Sequence, residues 1–240
     1  MALPVDLEQL IGGERLALLR EVALMPRDLG MVVPDARPGD DVVVLVHGFL
    51  ASAGVFRPLR SRLERETSAR VATFTHAPCV GVRRIARQLA DLIDQIPHGT
   101  RITVVGHSLG GVVARWYVQE MGGHARVRRT VSLAAPFRGV DVPQFLVGVD
   151  LCARSALLRR VRERAHLCGV PHTSVVAGAD TTVVGVETAC LGYGDVFVAE
   201  GCGHNALLFH EQVASLIIAR LHEGKPAPPP RRTDALPRAW

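Results

Sequence analysis

The pentapeptide GHSLG, residues 106–110, sets one serine between two glycines, directly after the apolar run RITVV and before the helical pattern LGGVVARW. A serine that only decorates a turn needs no such flanks. A serine bent sharply out of a strand does, because a side chain on either flank would block the close passage of strand and helix. This is the G-x-S-x-G pattern, in which the hydroxyl projects at the head of a helix. There the first backbone N–H groups can steady a developing oxyanion. The chemistry open to such a serine is nucleophilic acyl transfer, with Ser108 as the candidate nucleophile.

A hydroxyl is a weak nucleophile near neutral pH, so acyl transfer also needs an imidazole base and a carboxylate that orients it. Ten histidines compete for the first role. In an open parallel sheet, functional groups gather at the carboxyl ends of the strands. His204, in EGCGHNALL, follows the strand pattern DVFVAE through a glycine-rich turn and so reaches the same edge as Ser108. His47, His76 and His107 fall near that edge but adjoin earlier elements, and His172 precedes its strand, at the opposite edge. Asp180 closes the pattern TSVVAGAD and is the preferred acid; Glu187, in the loop that follows, is the reserve, and Asp195 opens its strand at the far end. The run DDVVVLVHGF ends at Gly48, so the backbone N–H of Phe49 can turn toward Ser108. With the N–H of Leu109 it would form a two-donor oxyanion hole. Neither a metal nor an organic cofactor is required.

These residues must be carried by alternating strands and helices. DVVVLV is a near-continuous apolar run, as expected for a strand covered on both faces. The segments GVFRPLRSRLERE, GVRRIARQLADLIDQI and NALLFHEQVASLIIARL have helical spacing, and Ile85, Leu89, Leu92, Ile93 and Ile96 form one stripe. The alternation predicts an α/β fold with about six mainly parallel strands and right-handed crossovers. Leu7, Leu10, Ile11, Leu18, Leu19 and Val22 place an amphipathic helix ahead of the first strand, ended near Pro26.

At 240 residues and 48% hydrophobic, the chain can build a substantial core. The net charge of +5 does not point to nucleic acid: only Lys225 is not arginine among the basic residues, and aromatics for base stacking total 5%. Five cysteines without a CxxC pair argue against a zinc ribbon or dithiol centre, and mostly buried, reduced thiols are expected. A Cys152–Cys168 bridge would require export. The N-terminus carries Glu8, Glu14 and Glu21 among its apolar residues and lacks a signal-peptide pattern, so a cytoplasmic or peripheral membrane location is expected.

The ordered set VVVLVHGF, VVGHSLGGVVAR, VSLAAPFRG, VAGADTTV and GCGHNALL, over roughly residues 40–221, resembles the α/β-hydrolase superfamily, and within it small bacterial triacylglycerol lipases and carboxylesterases. The order nucleophile, acid, histidine in that superfamily implies Ser108, Asp180 and His204, with Phe49 and Leu109 as oxyanion donors. It implies hydrolysis of carboxylic esters, on a small-molecule or lipid substrate. On this reading residues 1–38 are an N-terminal helical segment, 39–223 the hydrolase domain and 224–240 a Pro-rich disordered tail, with PPPRR as a polyproline ligand the other reading of that tail.

Residues 137–170 form a longer excursion than the smallest such lipases have. Within it, Leu157, Leu158, Val161 and Ala165 share one helical face, while Arg159, Arg160, Arg162 and Arg164 lie largely elsewhere. Two readings stand: a small lid or anionic-lipid contact beside the active edge, or an ordinary helix covering the sheet. Phe137, Phe145 and Leu146 either line an apolar acyl pocket or only pack this excursion. Thioesterase, acyltransferase or lipid deacylase activity would use the same groups. A non-catalytic binding module would predict an interrupted set.

Overall fold

The fold is taken from a computed structural model, in which the structure describes residues 7–140 and 149–223. Six strands, β1 (Asp41–Val46), β2 (Arg70–Phe74), β3 (Arg101–His107), β4 (Val127–Leu133), β5 (His172–Ala177) and β6 (Asp195–Ala199), form one sheet in the order β2-β1-β3-β4-β5-β6. Every pairing is parallel. The helices are α1 (Leu7–Leu24), α2 (Arg57–Glu66), α3 (Val82–Asp94), α4 (Leu109–Glu120), α5 (Ala156–Glu163), α6 (Val186–Ala189) and α7 (Glu211–His222).

Strand periodicity divides the interior into two cores. Val42, Val44 and Val46 of β1 point to one face, where α3, α4 and α5 bury Ile85, Leu89, Val112 and Leu158. Val43 and Leu45 point to the other, where α2 and α7 contribute Leu59, Leu63, Val213 and Ile217. All six β1 residues are buried, which is why the strand after Asp41 reads as an apolar run. This is the α/β-hydrolase architecture expected from the sequence.

Two polar devices tie the excursion after β4 to this frame. The Asp150 carboxylate accepts the Val82 N–H at 2.9 Å, capping α3 from a distance, where its own N-cap Gly81 offers no side chain. Arg115 of α4 is fully buried and donates to Thr130 Oγ1, to the carbonyls of Ala165 and Val170, and to Cys168 Sγ. A buried guanidinium is tolerable where its two Nη groups are met in this way, although its Nε finds no partner among the described residues.

The excursion helix α5 packs against α4, and two of its arginines pair with the end of that helix. Leu158, Val161 and Ala165 bury against α4, and Gln119 donates to the Val161 carbonyl. Arg160 and Arg164 both pair with Glu120, at 2.7 and 3.1 Å, and Arg162 donates to the Phe137 carbonyl. Arg159 is 67% exposed, 4.0 Å from Glu163, and Arg160 and Arg164 remain 51% and 47% exposed while paired. Glu120 ends α4 whereas Ser108 precedes it, about 18 Å apart at 1.5 Å per residue. Buried contacts at the far end of α4 hold the helix there.

The cysteines make no disulfide among the described residues. The expectation of mostly buried thiols is corrected as well: Cys202 is buried, but Cys79 is exposed and the others lie between. Among the described residues no helix is long and apolar enough to cross a membrane. The tail from 224 onward, with its PPPRR, lies outside the described residues.

Candidate active site

Ser108 stands between the end of β3 and the first residue of α4, with φ 51° and ψ −119°. A non-glycine residue at positive φ costs of order 1–3 kcal/mol and persists only where its surroundings enforce it. Here they do. The Ser108 N–H donates to the Leu133 carbonyl at 2.8 Å and its own carbonyl accepts from Gly111 at 3.0 Å. A Cβ on Gly106 would lie 2.3 Å from the Gly110 backbone, and one on Gly110 would lie 2.0 Å from the Val46 carbonyl oxygen. The two glycines let β1, β3 and α4 meet more closely than any side chain permits, and the bend at Ser108 follows from that contact.

Asp180 and His204 come together as a bonded pair. The Asp180 Oδ1 accepts the Thr182 and Val183 N–H groups, both at 2.8 Å, which leaves Oδ2 to meet His204 Nδ1 at 2.7 Å. Both side chains are almost wholly withdrawn from solvent. The backbones that carry them are laced together, Gly178 to Ala199 and Ala179 to Cys202, at 2.9 Å each. With Nδ1 on the carboxylate, the other ring nitrogen is the one open to the cleft. No hydrogen bond joins it to Ser108 here, although both side chains line the same cleft of about 380 Å³.

Phe49 and Leu109 flank the serine as expected from the sequence. A Cβ on Gly48 would approach Ser108 Cβ to 3.2 Å, so the β1 turn runs alongside the serine. The Phe49 and Leu109 amides make no backbone hydrogen bond among the described residues. Their turn is fixed by histidines whose part was not anticipated. His47 Nδ1 donates to the Gly48 carbonyl at 2.8 Å and Nε2 accepts the His76 N–H at 3.0 Å, while the two rings stack at 3.8 Å. That bonding holds His47 as one neutral tautomer.

Burial also keeps other histidines uncharged. His47 is pushed down to about 3 by burial and then by neighbouring His76, and His107 to about 3 by burial and then by His204. His76 is lowered, and His172, buried between Thr130 and Ser132, lies well below its ordinary value of 6.5. An unfolded chain takes up these protons near pH 6.5 and the folded one does not. Their contribution to stability is therefore intact above that pH and is lost as pH falls below 6.5, for His47 and His107 down to about 3. Each such group costs about 1.4 kcal/mol per pH unit within that window. The melting temperature is expected to drop steeply between pH 6.5 and pH 5; a flat profile there would contradict the neutral, buried imidazoles.

The acyl-pocket expectation is corrected in part. Phe137 is fully buried with its ring edge-on to His172, at 5.6 Å between centroids, so it packs the sheet and does not face the cleft. Phe145 and Leu146 lie outside the described residues. The apolar walls are built instead by Phe49, Pro136, Val140 and Leu151, and by Leu18, Val22 and Met25 around α1. The reserve acid Glu187 sits on α6, where its carbonyl accepts from Arg138, and has no contact with His204. Asp195 pairs with Arg220 at the opposite edge.

The sequence reading missed α1 as a wall of this site. Glu14 accepts the N–H groups of Asn205 and Ala206, at 2.9 and 3.1 Å, and so grips the chain directly after His204. Glu21 is buried in the same wall. A signal was present: two carboxylates seven residues apart, hence on one face of an otherwise apolar helix. In α1 it is Ala17 and Glu21 that bury, while Leu16, Leu18, Leu19 and Val22 stay 50–68% exposed.

Residues 42–178, more than half of the chain, match the family model described as palmitoyl protein thioesterase. Solved structures share the fold. The mature form of a Bacillus licheniformis lipase superposes with a TM-score of 0.62 at 14% identity, covering 80% of this chain and 96% of that one. A Bacillus subtilis carboxylesterase gives 0.58 at 14% identity, over 92% of this chain and 100% of that one. Lipase B of Aspergillus fumigatus gives 0.66 at 18%, over 83% of this chain and 57% of the longer relative.

Proposed function

Because the chain belongs to the palmitoyl protein thioesterase family of α/β-hydrolases, we propose that it is a serine hydrolase that cleaves carboxylic esters of apolar acyl groups through an acyl-enzyme on Ser108. The observation that carries this reading is the 2.7 Å bond between Asp180 and His204 in the wall of the cleft that also holds Ser108. On this reading Ser108 Oγ meets His204 Nε2 across the cleft they share, a contact that commonly tightens only with substrate bound. His204 takes the hydroxyl proton as Oγ attacks the acyl carbonyl, and Asp180 holds the imidazolium that forms. The Phe49 and Leu109 amides receive the oxyanion. His204 then protonates the departing group, and water releases the acyl chain by the reverse path. The acyl chain runs along Pro136, Val140 and Leu151.

The family match favours a second reading, in which the departing group is a thiol. The triad serves both, because a thiolate leaves more readily than an alkoxide and asks for less proton transfer. A panel of p-nitrophenyl oxyesters and acyl thioesters, from acetyl to palmitoyl, separates them. On either reading kcat/KM rises a few-fold per added methylene at first, since each buried CH2 is worth up to about 0.8 kcal/mol. A consistent preference for the thioester of the same acyl group selects the second reading. Absence of turnover throughout the panel, together with no labelling by a fluorophosphonate, overturns both.

A further inference from the structure

One carboxyl in the cleft has no part in the acyl-transfer steps. Glu21 is 8% exposed and shares the cleft wall with Ser108, His204 and Asn205. Its neighbours along α1 are apolar, Leu18, Val22 and Met25, and its carboxyl makes no hydrogen bond with a described residue. Burial raises its pKa, and the nearby His204 partly offsets that. Glu21 lines a largely apolar cleft with His204 as its charged neighbour, so its carboxyl offers an acceptor to a donor that arrives from outside.

The two faces of the sheet supply different walls. Pro136, Val140 and Leu151 come from the excursion after β4, and Val140 and Leu151 belong to the core on the α3/α4 face. α1 lies on the α2/α7 face, held by the Glu14 grip on Asn205 and Ala206. Glu21 therefore flanks His204, the group that hands a proton to whatever departs, while the apolar excursion takes the acyl chain. α1 also precedes the residues that the family model matches, 42–178.

We propose that Glu21 selects the departing group: an alcohol or thiol portion that bears a hydrogen-bond donor and no negative charge, to the disadvantage of polyanionic acyl carriers. This inference rests on acyl transfer at Ser108. A glycerol hydroxyl or a peptide ammonium beside the acylated atom supplies the donor. The phosphates of coenzyme A place negative charge against the carboxylate.

The test holds the acyl group constant and varies what departs: 1-octanoylglycerol, an S-octanoyl cysteine peptide carrying lysine, octanoyl-coenzyme A and p-nitrophenyl octanoate. In Glu21→Leu the kcat/KM ratio of the glycerol ester to the coenzyme A thioester falls roughly tenfold, the worth of one buried hydrogen bond to a charged group. Glu21→Gln, closer in shape, lowers the same ratio about threefold by removing the charge alone. The peptide arm shows whether hydroxyl or ammonium donors are preferred, by the larger loss in Glu21→Leu. Ratios that stay within twofold in both variants overturn the role of Glu21. Octanoyl turnover that survives Ser108→Ala overturns the acyl-transfer reading instead.

Discussion

Ser108→Ala is expected to lower kcat for a p-nitrophenyl acyl ester by about 10⁶-fold, with KM little changed, and to abolish fluorophosphonate labelling. The size of the effect follows from how the site divides its work. The amides of Phe49 and Leu109 and the apolar walls remain in the variant, so substrate still binds and a water can still be polarised; that residue of catalysis is about 10³–10⁴ over solution. What is lost is the only oxygen fixed against the scissile carbon. Folding should not suffer, because alanine at this position keeps the backbone contacts to Leu133 and Gly111. A soluble Ser108→Ala protein with full turnover would end the acyl-enzyme proposal.

Asp180→Asn is expected to cost about 10⁴-fold in kcat, and the reason is the proton on a ring nitrogen. Asp180 Oδ1 is committed to the Thr182 and Val183 amides, so an asparagine keeps its oxygen there and turns its NH2 toward His204. The imidazole must then accept at Nδ1 and carry its proton on Nε2, the nitrogen that has to receive the Ser108 proton. The base is present in the wrong tautomer. Glu187→Gln, by comparison, should leave kcat within about twofold, because that side chain sits on α6 away from His204. Comparable losses in the two variants would show that the acid had been assigned to the wrong carboxylate.

The pH profile of stability carries a separate message about the same edge. His47 and His107, each adjacent to a residue of the proposed oxyanion turn or nucleophile, are held neutral by burial first and by neighbouring histidines second. Their task is to fix backbone. His47 clasps the Gly48 carbonyl, and His107 donates to the carbonyl of His204 at 3.2 Å while its ring lies 4.9 Å from the His204 ring. The proposed base is thus braced by His107 behind it and by Glu14 after it.

Much of this was legible along the chain because local physics decides it. A six-residue valine-rich run between turn signals in an alternating chain reads as a strand buried on both faces, and two glycines around a serine allow the sharp bend that a side chain would block. Strand ends then place Ser108, Asp180, His204 and Phe49 on one edge without any knowledge of packing. The other assignments depended on which face of an element meets which neighbour, and periodicity is silent there. Phe137 reads equally well as pocket lining or core, until β5 brings His172 beneath it. The arginines of α5 read as a free basic face, until Glu120 is found at the end of α4. In α1 the apolar stripe promised burial, yet docking across residues 53–56 and 206–209 turned Ala17 and Glu21 inward and left leucines outside.

The sequence by itself determined the alternation of strands and helices, which strand ends share an edge and the bend that exposes one hydroxyl, since these follow from side-chain period and backbone freedom within a few residues. Only the tertiary structure decided that a helix from before the first strand closes the cleft with Glu14 and Glu21. Residues nearly two hundred positions apart, Glu14 and Asn205, meet by long-range packing, and no local preference of either segment encodes that meeting.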